Sequence, residues 1–151
     1  MNQHPFFILG AERGDHVRVE VTGRAHPEAS DFWDGNWVNT RISARAGGFR
    51  GGASAFLRTT DFADFREQLH TLHQRLTGEA VFETLEGWLA IRVVGDGRGH
   101  MDTRVTLTDE PGVGNKLLFA VPDLDQTHIF DTIAHLCEIE EMYPTIGAPA
   151  A

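Results

Sequence analysis

The feature that most constrains this chain is a change of apolar period after Arg58. Before it, one face recurs at every second position: Val17, Val19 and Val21 alternate with Arg18, Glu20 and Thr22. Within Asn36 to Ala46, Val38, Thr40, Ile42 and Ala44 alternate with Asn39, Arg41, Ser43 and Arg45. A period of two is that of a strand with one buried face. Gly47-Gly48 then leads into Phe49 to Arg58, where Phe49, Ala53, Ala55 and Leu57 share a face, which predicts a hairpin. From Phe62 the spacing becomes three and four, through Phe65, Leu69, Leu72 and Leu76, the stripe of an amphipathic helix. Thr60 or Asp61 is the expected cap and Gly78 the expected stop.

Short apolar runs at Ala80 to Leu85, Trp88 to Val94, Met101 to Thr108 and Lys116 to Val121 predict four further strands. Asp96-Gly97 is a favoured hairpin turn, and Asp109 to Asn115 a punctuated connection. A second helix is predicted from about Thr127 to Glu141, with Ile129, Ile133, Leu136 and Cys137 inward and Asp131, Glu138 and Glu141 outward. Pro144 and Gly147 end it. Strands, helix, four strands, helix is an α+β order, with antiparallel β-sheet(s) and two amphipathic helices in a single domain spanning residues 1–151.

Charge narrows the function. Thirteen Lys plus Arg against 22 Asp plus Glu leave a formal net charge of −9. Phosphate neutralisation by clustered cations drives nonspecific nucleic-acid binding, so this balance argues against a direct nucleic-acid partner. From Leu117 to the end there is no Lys or Arg, while Asp123, Asp125, Asp131, Glu138, Glu140 and Glu141 all carry negative charge. That end of the chain is expected to present an anionic surface.

No motif anchors catalysis or a cofactor. Cys137 is the only cysteine, which excludes an internal disulfide and a thiolate metal cluster and permits a reducing, cytoplasmic compartment. The apolar run Phe6 to Leu9 lacks a basic leader and is far too short for a membrane span. His70 and His73 beside Glu67, and His128 with His135, lack a third ligand at diagnostic spacing and read as polar helix positions. Gly95 to Gly99 and Gly112 to Gly114 are turns rather than phosphate loops, because neither carries the fingerprint or its following helix. No cofactor and no metal is expected.

Asp31-Phe32-Trp33-Asp34-Gly35-Asn36-Trp37 stands apart, with three large aromatics crowding a turn that holds two carboxylates. One reading is structural: Asp34-Gly35 turns the chain, the tryptophans cover a sheet end and the carboxylates satisfy backbone N–H groups. The other is recognition, with rigid aromatic contact area set among polar groups. The two coexist if one tryptophan anchors while the other stays exposed. Partner-binding candidates are therefore Asp31, Trp33, Asp34 and Trp37 in the turn and Asp131, Glu138 and Glu141 on the second helix.

That turn, the helix start Asp61 to Leu69, the Leu85-Glu86-Gly87 step and Gly95 to His100 together resemble the WapI-type immunity proteins of bacteria, over roughly Val17 to Glu138. The resemblance implies a cytoplasmic antidote that occupies the toxic domain of a contact-delivered toxin, often a nuclease. It transfers no interface residues. A basic protein domain suits the acidic surface, since opposite charge steers encounter. A structural or housekeeping interaction protein without a toxin partner, and a small-molecule enzyme whose site spacing hides, remain the alternatives.

Overall fold

A computed structural model describes residues 3–149. The chain opens with β1 (Phe6–Gly10), β2 (His16–Arg24), a 3-10 turn (Asp34–Asn36), β3 (Trp37–Ala46) and β4 (Phe49–Arg58). Helix α1 (Thr59–Arg75) follows. The second half runs β5 (Thr77–Glu83), β6 (Leu89–Asp96), β7 (His100–Thr108), β8 (Lys116–Ala120), β9 (Leu124–Asp125) and α2 (Gln126–Met142). All strand pairs are antiparallel, giving one sheet ordered β1-β2-β3-β4 and another ordered β5-β6-β7-β8 with β9 on β7. The α+β class with two helices is as the period change predicts.

Register follows the alternation. Val17 faces Ala44, Val19 faces Ile42 and Val21 faces Thr40, so their side chains meet on the buried face. Thr40, the polar member, spends its hydroxyl on the Ala55 carbonyl at 2.8 Å, which makes its burial tolerable. Phe62, Phe65, Leu69 and Leu72 of α1, with Ile129, Leu136 and Ile139 of α2, complete one contiguous core shared by both sheets.

At its centre Phe7, Phe62, Phe65 and Phe82 pack with ring centroids between 5.4 and 6.1 Å apart, all tilted or edge-on. Such pairs each contribute about 0.5–1.5 kcal/mol beyond area burial. They tie β1, α1 and β5 together. Truncation of the fully buried Phe65 costs about 3–5 kcal/mol.

Several local expectations are corrected. Phe6 to Leu9 is not a spare apolar run but β1, pairing with Glu20 to Val17; only five residues long, it shows too little alternation to be read alone. Gly78 does not stop α1: Leu76 takes the left-handed position at φ 63° and its N–H bonds the Leu72 carbonyl, while Gly78 lies in β5. Cys137 does not point inward. It is exposed, because the buried positions of α2 are Ile129, Thr132, Leu136 and Ile139, and Thr132 takes the inward place by bonding the β1 carbonyl of Ile8 at 2.7 Å. Phe49 shares its alternating face with Ala53 but lies beyond the covering layer, 70% exposed.

Candidate partner-binding interface

The aromatic turn is held by groups distant in sequence. Asp31 accepts the Asp34 N–H at 3.0 Å through its carboxylate, and its carbonyl accepts from Gly35. Asn36 is fully buried, donating to the carbonyls of Phe32 (2.7 Å) and Ile146 (2.8 Å) and accepting from the Ile146 N–H (2.9 Å). Arg24 from β2 donates to the carbonyls of Gly35 and Pro144. The chain after α2 is thereby laid across the turn. A Cβ at Gly35 would displace Ile146, whose Cδ1 would stand 2.4 Å away, and Gly147 sits at φ +67° with Phe32 N 2.7 Å from the Cβ it lacks, which makes Gly147 a steric requirement of this clasp.

Beneath it lies Arg58, the last residue of β4 and only 5% exposed. Its guanidinium donates to the carbonyls of Trp33 (2.7 Å) and Phe32 (2.9 Å) and lies 4.4 Å from the Trp33 ring centroid and 5.0 Å from that of Trp37. Burial lowers its pKa, opposed by the carboxylates of Asp61, Asp31 and Asp34. Asp61 in turn accepts the Arg58 backbone N–H at 3.0 Å. Burial pushes the Asp61 carboxyl up to about 6, against the pull of the Arg58 N–H and guanidinium, with the Asp64 charge adding to the rise.

The two tryptophans differ in exposure. Their rings meet edge to face, 5.7 Å apart at 89°. Trp37 is half-buried and Trp33 is 53% exposed on an immobilised backbone. Trp37 also lines a groove of about 320 Å³ with Phe56, which is 55% exposed at an outward position of β4.

Helix α2 separates the terminal carboxylates by function. Asp125 caps the helix, accepting from the N–H groups of Thr127 and His128 and holding the His128 ring at 3.0 Å; the His128 N–H is the leading cause of its lowered pKa. Glu140 pairs with Arg66 of α1. Asp131, Glu138 and Glu141 are left exposed along the flank of α2 beside β1. Asp131 and Glu138 line a groove of about 290 Å³ with Ile8 and His135, and Glu138 and Glu141 line an adjoining one of about 410 Å³ with His4 and Phe6.

Between α2 and β4 extends the outer face of the first sheet, and its charge is opposite to that of the whole molecule. Arg18, Arg41, Arg45 and Arg50 all stand at outward positions. Arg50 faces Arg45 across the β4–β3 pair, and Arg45 faces His16 across β3–β2. Of the four arginines only Arg18 has a carboxylate partner among the described residues, Glu20 at 3.1 Å. The total charge hides this face, although its alternating positions were readable.

No group of three or more His, Cys, Asp or Glu close enough for a metal ion is found among the described residues, and no helix there is long and apolar enough to cross a membrane. The arrangement sets a rigid aromatic projection and a carboxylate flank on either side of an arginine-bearing sheet face. The sequence model of the immunity protein WapI-like family matches residues 8–144, nearly the whole chain, and the chain belongs to that family. No curated protein matches it.

Proposed function

We propose that this protein is an antidote that binds and blocks the toxic domain of a bacterial toxin in the cytoplasm, without cofactor or catalysis of its own. Family membership supports toxin inhibition by protein binding. The observation that carries the surface assignment is Trp33, half exposed yet fixed on the buried Arg58 and clasped by the C-terminal tail. Large aromatics with little entropy left to lose are the usual anchors of protein interfaces. The partner is a basic domain, a nuclease in the simplest case: Asp131, Glu138 and Glu141 steer toward the cationic surface such an enzyme needs for its own substrate.

Co-expression with a toxin domain encoded next to the gene for this chain tests this reading. Growth rescue, and a stable complex of the purified pair, are expected. A toxin domain that neither binds the protein nor loses activity in its presence would overturn it, and recovery of an unrelated cellular complex instead would favour a housekeeping interaction.

A further inference from the structure

Of the four terminal strands of the two sheets, two are closed off and a third is short. At β1 the edge is covered by α2, whose Thr132 hydroxyl bonds the Ile8 carbonyl. Along β5, the side-chain amide of Gln68 on α1 accepts the Val81 N–H at 2.9 Å and donates to the Val81 carbonyl at 3.2 Å, imitating a neighbouring strand. Strand β8 is five residues long and starts at a lysine, both of which blunt an edge. Strand β4 is different: it is ten residues long, pairs only with β3 and carries Gly51-Gly52-Ala53-Ser54-Ala55 at its middle, with no Lys or Pro.

Which backbone groups point outward follows from the last rung. The Arg58 N–H bonds the Asp61 carboxylate and the Trp37 carbonyl accepts from Ala25, so the Trp37–Arg58 pair exchanges no backbone bonds. In an antiparallel ladder bonded and non-bonded pairs alternate. The N–H and C=O groups of Arg50, Gly52, Ser54 and Phe56 therefore face away from β3, and none has a hydrogen-bond partner within the described chain. All four residues are exposed. Asp61 seals the final donor of the row and leaves these four open.

We propose that the free edge of β4 receives an extended segment of the protein partner, which adds a fifth strand to the first sheet and carries acidic side chains on its outer face. This rests on the protein-binding reading above and specifies how the partner is gripped. An edge of unpaired N–H and C=O groups is complementary to an extended backbone before any side chain is considered. Charge selects the occupant: Arg50 and Arg45 stand directly opposite each other without a carboxylate, an unfavourable cross-strand pair that acidic residues of an incoming strand relieve. A second copy would instead bring another set of these arginines alongside. Beside this edge lies a notch of about 180 Å³ lined by Gly51, Leu107 and Leu117 together with Asp109, Asn115 and Lys116.

The test uses the whole protein and, as probe, a capped seven-residue peptide alternating glutamate with valine, followed by amide NMR and hydrogen exchange. Exchange at Arg50, Gly52, Ser54 and Phe56 is expected to slow by about tenfold or more, with little change at Gly51, Ala53 and Ala55, whose N–H groups already serve β3. Ser54→Pro removes one outward donor without touching the β3 ladder, so folding survives while peptide binding weakens by about tenfold. Should Ser54→Pro fail to fold, the Arg45→Glu, Arg50→Glu pair carries the test by exchanging preference for the glutamate peptide for a lysine counterpart. Perturbation confined elsewhere, or binding indifferent to these changes, overturns the proposal. A dimer of the free protein that Ser54→Pro dissolves would also overturn it by assigning the edge to a second copy. Peptide binding at β4 with no toxin domain bound would overturn the antidote reading and leave the strand-addition site standing.

Discussion

The aromatic turn and the carboxylate flank of α2 are tied to the two ends of one short segment, since the tail that leaves α2 is the strap that crosses the turn. The turn is over-determined: buried Arg58 and Asn36 and the Arg24 guanidinium each hold its carbonyls, and the tail holds the Asn36 side-chain amide. The three carboxylates project from the exposed side of a helix that would form without them. Geometry is fixed at one region and only sign at the other. An anchor has to be rigid to avoid an ordering cost on binding, whereas a steering charge acts through space and tolerates motion.

The largest effect should come from removing the scaffold of the turn. Arg58→Ala leaves the Trp33 carbonyl without its donor and the Phe32 carbonyl with Asn36 alone, and is expected to cost about 3–5 kcal/mol, as loss of one member of a buried polar network does. Denaturant melts measure this, and partner binding should fall with stability. An unchanged melt would mean that the turn does not depend on Arg58.

Asp61 supplies a pH dependence of somewhat smaller size. Its folded pKa of about 6 lies above the usual carboxylate value of 3.8, so the folded state holds the proton more tightly. The resulting stability is fully present below pH 3.8 and is lost as pH rises through 6, by about 3 kcal/mol at most. Asp61→Asn should abolish this change between those limits and match or exceed the wild-type melting temperature at neutral pH. A mutant less stable than wild type at pH 7.5, with the same slope at lower pH, would break the assignment.

Trp33→Ala separates anchor from scaffold. Partner affinity should drop by about 2 kcal/mol while the melting temperature barely moves, since half of the ring is already in water. Trp37→Ala, at a half-buried ring under the same guanidinium, should instead lower stability. Equal effects of both on melting would erase the division of roles. The smallest equilibrium effect is expected from reversing Asp131, Glu138 and Glu141 together: association slows and loses its salt dependence, with folding intact and affinity changed by about 1 kcal/mol. Stopped-flow binding at several salt concentrations reads this directly.

Much of the architecture was legible because long elements repeat their period many times. Ten-residue β3 places four buried residues and seventeen-residue α1 five at regular spacing, enough to separate period two from period three to four. Short elements fail this test, which is why β1 and the two-residue β9 escaped notice. Cys137 was misplaced for a related reason: on α2 a stripe drawn through Ile129, Ile133 and Leu136 is broad enough to admit it, and only contact with β1 shows that Thr132 takes the inward position instead. The aromatic turn stood out from composition alone, but its supports did not. Arg58, Arg24 and the tail at Pro144–Gly147 lie far from it in sequence, and nothing local marks a buried arginine at a strand end.

Alternation of side chains and the step to helical spacing are local properties of the backbone, so the order of residues was sufficient for the α+β class, the hairpins and the inward face of most strands. Net charge was equally available, being a sum over the chain. Tertiary structure alone decided which charges stay free, because pairing requires contact: Glu140 is taken up by Arg66, while Arg45 and Arg50 are set against each other on one face of an acidic protein. It also decided which edge remains open. Gln68 and Thr132 close β5 and β1 from helices that reach them only after the chain has folded, and among the described residues none reaches the outward groups of Arg50, Gly52, Ser54 and Phe56 on β4.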